Sequence, residues 1–206
     1  MVVAMNEYAR LREIVREDEA EHALERVPLF ACERASQVTC DVPVRKQVEP
    51  LHTAIFGRQI VEKLPWGHIV WAHADLRVLI DAPEGGLACH VGIYFRTINW
   101  NGHDIHVGGI GGVMTRQDCR GRGYATVALD AAIQTIRANE AARFAVLFCE
   151  PHNVGFYQAR SWHAFEGEVY CEQPNGRIRF EAMAPFVFDI RRAPRQGIMD
   201  LKGLPW

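Results

Sequence analysis

The pattern of apolar and polar residues predicts a helical start, followed by a longer part in which strands and helices alternate. Between Asn6 and Val27 the apolar residues fit one helix or two short ones, and a short strand at 11–15 is the alternative. Weak alternation at 38–44 predicts a strand that Pro43 interrupts. Residues 51–63 have helical spacing, and this helix is expected to end before Pro65-Trp66-Gly67.

The rest of the chain predicts most of a sheet. Asn101-Gly102 is a strong hairpin signal. The run at 143–149, R-F-A-V-L-F-C, is apolar after its first residue and predicts a buried central strand. Further strands are expected at 68–72, 76–80, 87–98, 104–115, 168–171, 177–180 and 185–190, helices at 124–138 and 150–161, and an irregular tail at 191–206. This order predicts the α/β class, with a mixed sheet and helices on both of its faces.

Composition narrows the class of protein. The chain has 206 residues, of which 49% are hydrophobic and 23% charged, and this is typical of a soluble globular protein. A net charge of −2 argues against a nucleic-acid-binding protein. Six cysteines without a C-x-x-C pair favour reduced thiols. No segment is apolar for the length of a membrane span, and the charged N-terminal stretch is unlike a signal peptide. We therefore expect a cytoplasmic protein that binds neither nucleic acid nor membrane.

The stretch from Val107 to Ala132 reads as strand, glycine-rich loop and helix. The first turn of a helix has N–H groups without intrahelical acceptors and a positive dipole end, which together suit an anion. Gly121 and Gly123 allow close backbone approach, and Arg120 and Arg122 add positive charge. The stretch therefore predicts a pyrophosphate cradle. The alternative is an ordinary helix cap with solvated arginines.

The cradle differs from two common phosphate-binding loops. It lacks the Lys-Ser or Lys-Thr pair of a P-loop and the third glycine of a dinucleotide fingerprint. Arg120-Gly121-Arg122-Gly123-Tyr124-Ala125 resembles the acetyl-CoA signature Q/R-x-x-G-x-G/A of the GNAT superfamily of N-acetyltransferases. Residues 153–162, N-V-G-F-Y-Q-A-R-S-W, are similar to a later helix of that family. The resemblance implies the GNAT fold, whose splayed, mostly antiparallel sheet has helices on both faces. It also implies a domain at 36–206. Residues 1–35 lie outside the resemblance and are predicted, from their apolar spacing, to be a helical extension.

The resemblance implies acetyl-CoA as the co-substrate. It would be bound by Val113, Met114, Thr115, Arg120, Gly121, Arg122, Gly123, Tyr124, Ala125 and Asn153. In the family pattern Tyr157 corresponds to the general acid that protonates the departing thiolate, and a phenol has a pKa of about 10. Glu150, after the buried strand, and His152 are alternative bases, and each also fits a plain structural role. The nine histidines form no metal-binding pattern, so no metal is expected.

The end of the sequence indicates an acceptor. Residues 199–206, M-D-L-K-G-L-P-W, are similar to the tail of aminoglycoside 2′-N-acetyltransferases. Asp200 and the carboxylate of Trp206 would then bind substrate. The chain departs from that group because Gly111 stands where it has a glutamate, and Leu204-Pro205 replaces a second acid. Gly111 would also leave space for a larger acyl chain or another acceptor.

The sequence as a whole favours an acetyl-CoA-dependent N-acetyltransferase acting on a primary amine, such as an aminoglycoside or amino-sugar-like molecule. Residues 87–92 also look similar to nodulation-type N-acyltransferases, so a longer acyl donor is one alternative. A CoA-binding protein without turnover is another. A nucleic-acid surface formed by Arg120, Arg122, Trp66, Trp71 and Trp100 is opposed by the net charge. Oligomers are common in this superfamily, and Trp66 or Trp71, if exposed, would mark the interface of a homodimer.

Overall fold

The computed structural model describes residues 11–17, 24–27 and 44–206. They divide into two compact units. The first comprises the described residues up to Val61, together with Ala74–Ile93 and Gly112–Gln134. The second comprises Glu62–His73, Tyr94–Gly111 and Thr135–Trp206. Strands β4 (Leu87–Trp100) and β5 (His103–Thr115) and the helix that follows them contribute residues to both units.

The first unit contains the cradle. Its strands β1 (Leu11–Glu17), β2 (Leu24–Val27) and β3 (Leu76–Asp81) pair in the order β2-β1-β3-β4-β5, with Ile14 opposite both Val27 and Val78. The helices are α1 (Val44–Phe56), α2 (Arg58–Val61) and the first part of α3 (Tyr124–Ala138). Val48 and Leu51 of α1 pack with Leu79 and Met114, so the apolar stripe of this helix covers β3 and the end of β5.

The second unit contains the rest of β4 and β5 and all later strands. In order they are β6 (Phe144–Cys149), β7 (His163–Ala164), β8 (Glu166–Gln173), β9 (Gly176–Arg179), β10 (Ala184–Asp189) and β11 (Gln196–Asp200). Strand β6 lies parallel to β5 and antiparallel to β10, which also pairs with β7. Strand β11 is parallel to β8 and antiparallel to β4, and β8 pairs with β9. The short helix α4 (Val154–Gln158) follows β6.

These pairings confirm the predicted class, because the sheet is mixed and mostly antiparallel. The hairpin at Asn101-Gly102 is also confirmed, with φ of 48° and 86°. Strand β6 is buried at all six positions, as its apolar run predicted. No helix of the described residues has the length and apolar character needed to cross a membrane.

The helical extension predicted at 1–35 is wrong for residues 11–17 and 24–27, which form β1 and β2. The alternative strand at 11–15 is correct. For β1 the physical reason is tertiary, because the edge of β3 supplies the backbone partners that make the extended form favourable. Strand β2 then pairs with β1. The boundary at 35/36 and the strand at 38–44 fall wholly or largely outside the described residues.

Four other expectations are revised. Residues 68–72 are irregular and form no strand. The helix at 51–63 begins earlier, at Val44, and ends at Phe56 before the separate turn α2. The helix at 150–161 is reduced to the turn Pro151–Asn153 and the five residues of α4. The irregular tail contains β11, whose partners β4 and β8 are remote in the chain.

Candidate functional site

The cradle (Arg120–Ala125) lies between the end of β5 and the start of α3, in the first unit. Gly121 and Gly123 have φ of +74° and +87°, a left-handed conformation that glycine adopts without strain. The Thr126 and Val127 N–H groups donate to the Gly123 carbonyl at 2.9 and 3.1 Å. Helix α3 therefore begins directly after Gly123, as a site for an anion at its first turn requires.

The two arginines of the cradle are exposed. Arg120 Nε makes one long contact, 3.4 Å, with the Thr115 carbonyl. Within the part of the chain that the structure describes, no carboxylate forms an ion pair with Arg120 or Arg122. Both guanidinium groups are therefore available to compensate the charge of an anionic ligand.

Arg116 has a different role, which the sequence analysis missed. It pairs with Asp118 at 2.7 Å and with Glu84, and it donates to the Gly85 carbonyl at 3.0 Å. The bond to Asp118, together with the nearby charge of Glu84, raises the pKa of Arg116, and the same bond holds the pKa of the Asp118 carboxyl below its usual range. The guanidinium thus ties the β3–β4 turn to the start of the loop. No local signal marked this contact, because Glu84 lies more than thirty residues earlier.

The same corner holds the one group of potential metal ligands among the described residues. Glu84, Asp118 and Cys119 have ligand atoms within 4.8 Å of one another. Both carboxylates already bind Arg116, and burial raises the pKa of the Cys119 thiol. A cation here would have to displace the guanidinium.

The strand segment before the cradle presents backbone more than side chains. Met114 is 2% exposed and belongs to the core, whereas Val113 and Thr115 are half-buried. In the helix, Tyr124 is 1% exposed, so its ring packs inside as well. Of the predicted cofactor-binding residues, Met114 and Tyr124 therefore have only main-chain atoms to offer a ligand.

In the second unit, Tyr157 lies in the last turn of α4 and is buried. Its ring makes edge contacts with Phe156 and Trp162, at centroid distances of 5.1 and 6.2 Å. Asn153 precedes α4 and is half-buried, and its side chain makes no capping hydrogen bond. These residues share one short segment, as predicted.

Glu150, the first residue after β6, has a defined setting. Its Oε1 accepts a hydrogen bond from Trp66 Nε1 at 2.6 Å, and its Oε2 lies 3.4 Å from His152 Nδ1. The Glu150 side chain is 26% exposed, whereas Trp66 is buried. The two candidate bases are therefore neighbours. The indole that orients the carboxylate comes from 84 residues earlier, so spacing in the sequence did not indicate it.

Trp206 is 3% exposed and is part of the core of the second unit. Its Nε1 donates to the Val146 carbonyl at 3.1 Å, and its ring stacks on Tyr94 at 5.8 Å. A Cβ on Gly109 would lie 2.3 Å from the indole, and a Cβ on Gly111 would lie 2.7 Å from the Trp206 carbonyl carbon. The expectation that Gly111 leaves open space is therefore wrong, because Trp206 fills it.

Asp200 ends β11 and is engaged inside the protein. Its Oδ2 pairs with Arg177 Nε at 2.6 Å, and its Oδ1 accepts the Lys202 N–H at 2.9 Å. The Lys202 ammonium in turn pairs with Asp104 at 2.7 Å. Hydrogen bonding to Lys202 lowers the pKa of Asp104. Asp200 and Asp104 are thus already paired with cations of the same chain.

Comparison with known proteins places this geometry in a family. A profile of the acetyltransferase (GNAT) domain matches residues 50–165, more than half of the chain. An aminoglycoside 2′-N-acetyltransferase from Mycolicibacterium fortuitum is 30% identical over 111 residues. That match covers 53% of this chain and 55% of the relative, so the chain spans about half the length of the curated relative that it matches.

Solved structures support the same fold. The GNAT family N-acetyltransferase YhbS of Escherichia coli, crystallised in complex with CoA, aligns with a TM-score of 0.50 at 14% identity over 79% of this chain and 87% of its own. ElaA of Escherichia coli aligns with a TM-score of 0.50 at 15% identity over 73% of this chain and 93% of its own. The predicted GNAT fold is confirmed, and the chain belongs to the GNAT acetyltransferase family.

Proposed function

We propose that this chain is an N-acetyltransferase that transfers the acetyl group of acetyl-CoA to a primary amine. One observation carries the proposal: two glycines in the left-handed conformation precede the first turn of α3, beside two arginines that no carboxylate of the described residues pairs with. This arrangement fits a pyrophosphate, since the N–H groups and the dipole of a helix start favour anions. It lies inside the region that matches the family.

The residues that would hold acetyl-CoA are the backbone of Gly121–Ala125, the side chains of Arg120 and Arg122, and the backbone of Val113–Thr115. A side chain at Gly123 would have to adopt φ near +87°, which L residues rarely do, so the cradle depends on glycine there. Acetyl-CoA supplies an activated acyl thioester. The proposal extends to Asn153 as a further CoA contact.

The chain's own groups would move two protons. The Glu150 carboxylate would accept a proton from the attacking amine, and Trp66 would hold that carboxylate in one orientation through its bond to Oε1. The Tyr157 hydroxyl would donate a proton to the departing sulfur and then recover one from solvent. The new bond joins the amine nitrogen to the acetyl carbon, and the bond that breaks is carbon to sulfur.

An aminoglycoside is a specific candidate for the acceptor. Its support is the 30% identity to the Mycolicibacterium fortuitum enzyme, whose name states that substrate. The pairing of Asp200 with Arg177 weighs against it, because a polycationic antibiotic needs acids that are not already neutralised. The argument for a longer acyl donor was that Gly111 leaves open space. This argument no longer holds, because Trp206 occupies the space beside Gly111.

The test is calorimetric titration with acetyl-CoA, followed by thiol release against a panel of aminoglycosides and smaller amines. Binding with release supports the proposal, and binding without release would indicate a CoA-binding protein that does not turn over. Absence of binding would reduce the cradle to a helix cap and refute the proposal.

Tyr157→Phe sharpens the mechanism. We expect turnover to fall about 100-fold because the proton donor is lost, while acetyl-CoA affinity stays within about twofold. Tyr170→Phe is the matched control, since it removes a phenol that donates a hydrogen bond to Glu168 at 2.9 Å. Equal turnover in the two variants would remove Tyr157 from the mechanism.

A further inference from the structure

We propose that His90, oriented by Arg77, is a positioning residue that sets the backbone of Val113–Thr115 for the pantetheine arm of acyl-CoA. The inference rests on the proposed function, since it concerns how that ligand is held. All the groups involved belong to the first unit.

His90 is unusual in its burial. Among the side chains whose burial the structure describes, residues 46–206, it is the one charged or polar residue that is fully buried, at 2% exposure. Buried polar groups are retained when their hydrogen bonds are made, and both ring nitrogens of His90 have partners. Nδ1 lies 2.7 Å from the Gly112 carbonyl oxygen, and Nε2 lies 2.8 Å from an Arg77 guanidinium nitrogen.

These partners determine the tautomer. A guanidinium only donates hydrogen bonds, so Nε2 must be the acceptor. The proton of the neutral ring is then on Nδ1, which donates to the Gly112 carbonyl. Burial and the nearby charge of Arg77 lower the pKa of His90 to about 3. The ring therefore remains a neutral donor to Gly112 throughout the physiological range.

Gly112 has an unusual conformation for a strand residue. Its φ of +56° is left-handed, the one positive φ within β5, and its carbonyl accepts a hydrogen bond from the His90 imidazole. Four residues later the Arg116 N–H donates to the Ala88 carbonyl of β4 at 2.8 Å. The segment Val113–Thr115 is thus anchored to β4 at both ends, by His90 before it and by Ala88 after it.

The side chain of Met114 adds a third anchor, because it packs in the core with Leu79 and Val48. What remains for a ligand is the backbone of Val113 and Thr115, the groups proposed to pair with pantetheine. If His90 is lost, the Gly112 carbonyl loses its partner and this segment can relax away from the required geometry. The cradle itself starts only at Arg120 and keeps its own glycines and helix start.

The experiment compares a ligand that contacts both the Val113–Thr115 segment and the cradle with a ligand that contacts the cradle alone. Affinities of acetyl-CoA and of adenosine 3′,5′-bisphosphate, which lacks pantetheine, are measured by calorimetry on the full chain. We expect His90→Leu to weaken acetyl-CoA about tenfold and the bisphosphate less than about twofold. His90→Asn keeps an N–H near the Nδ1 position and should restore most of the loss.

Two further variants complete the design. His106→Leu is the control on β5. It removes a half-buried imidazole that is hydrogen-bonded to Thr97 Oγ1 at 2.6 Å, and it should leave both affinities unchanged. Arg77→Met removes the partner of His90 Nε2. It should weaken acetyl-CoA binding severalfold and leave bisphosphate binding unchanged. This variant tests the inference even if His90→Leu does not fold.

The outcomes separate the two claims. A folded His90→Leu or Arg77→Met variant that binds acetyl-CoA like the wild type overturns the inference alone. Parallel loss of both ligands also overturns it, since that pattern indicates a general structural role. If the wild-type protein binds neither ligand, the proposed function fails and the inference fails with it.

Discussion

The cradle and the tail segment 199–206 resemble functional segments of known enzymes, yet their polar groups are used in opposite ways. In the cradle, Arg120 and Arg122 are exposed and have no carboxylate partner among the described residues. In the tail, Asp200 is paired with Arg177, and the Trp206 indole is bonded to a main-chain carbonyl inside the core. A sequence motif indicates a ligand site only where its polar groups are not already bonded to other groups of the fold.

The difference follows from the kind of group each motif uses. The cradle relies on backbone N–H groups at a helix start, which no intrahelical carbonyl can satisfy. The tail relies on side chains, which bind whichever partner the fold brings near. Arg116 shows the same distinction within the loop, because its side chain is bound to Asp118 and Glu84.

The largest expected effect is in the tail. Trp206→Ala should lower the free energy of unfolding by about 3–5 kcal/mol, because it removes a buried indole that fills the space beside Gly109. Denaturant unfolding measures this loss. Trp100→Ala is the control, since that half-buried indole also donates to a carbonyl, of Gln196, and should cost less. Unchanged stability with a raised KM for the amine would instead make Trp206 a substrate contact.

Gly123→Val tests the cradle. A β-branched residue at φ +87° costs about 1–2 kcal/mol or distorts the helix start, so we expect acetyl-CoA affinity to fall about tenfold or more. Gly176→Val carries comparable strain, at φ +112°, in the first residue of β9, where an added Cβ meets no atom within 4 Å. If both variants bind acetyl-CoA equally, the cradle is misassigned.

Replacing two arginines of the same loop compares an available cation with an engaged one. Arg122→Ala should weaken acetyl-CoA severalfold, more so at low salt, without changing the melting temperature. Arg116→Ala should lower the melting temperature by a few degrees, because Glu84 and Asp118 lose their shared partner. Calorimetry and thermal unfolding of both variants check this. A lower melting temperature for Arg122→Ala together with weaker acetyl-CoA binding for Arg116→Ala would contradict the distinction between an available and an engaged arginine.

The smallest effect is expected for Asp200→Asn. Loss of an ion pair near the surface should change the free energy of unfolding by less than about 1 kcal/mol. Because Arg177 already neutralises this carboxylate, KM for an amine acceptor should change less than about twofold. A large rise in KM confined to polycationic amines would restore Asp200 as a substrate-binding residue.

Local patterns predicted the parts of the fold whose causes are local. Helix α3 has the predicted bounds because its apolar residues recur every three to four positions after a glycine stop. The Asn101-Gly102 hairpin and the buried strand β6 were predicted for similar reasons. The sequence offered β1 only as an alternative and did not predict β11, and both strands are stabilised by partners distant in the sequence. It also missed β2, which pairs with the neighbouring strand β1.

The candidate site divides along the same line. The sequence by itself determined the cradle, because a left-handed turn and a helix start depend on a few consecutive residues, with glycine at two of them. Only the tertiary structure decided that Trp66 orients Glu150, that His90 holds Gly112, and that Asp200 and Trp206 are engaged internally. The reason is physical: these side chains have no preferred partner until folding brings together residues 22 to 84 positions apart.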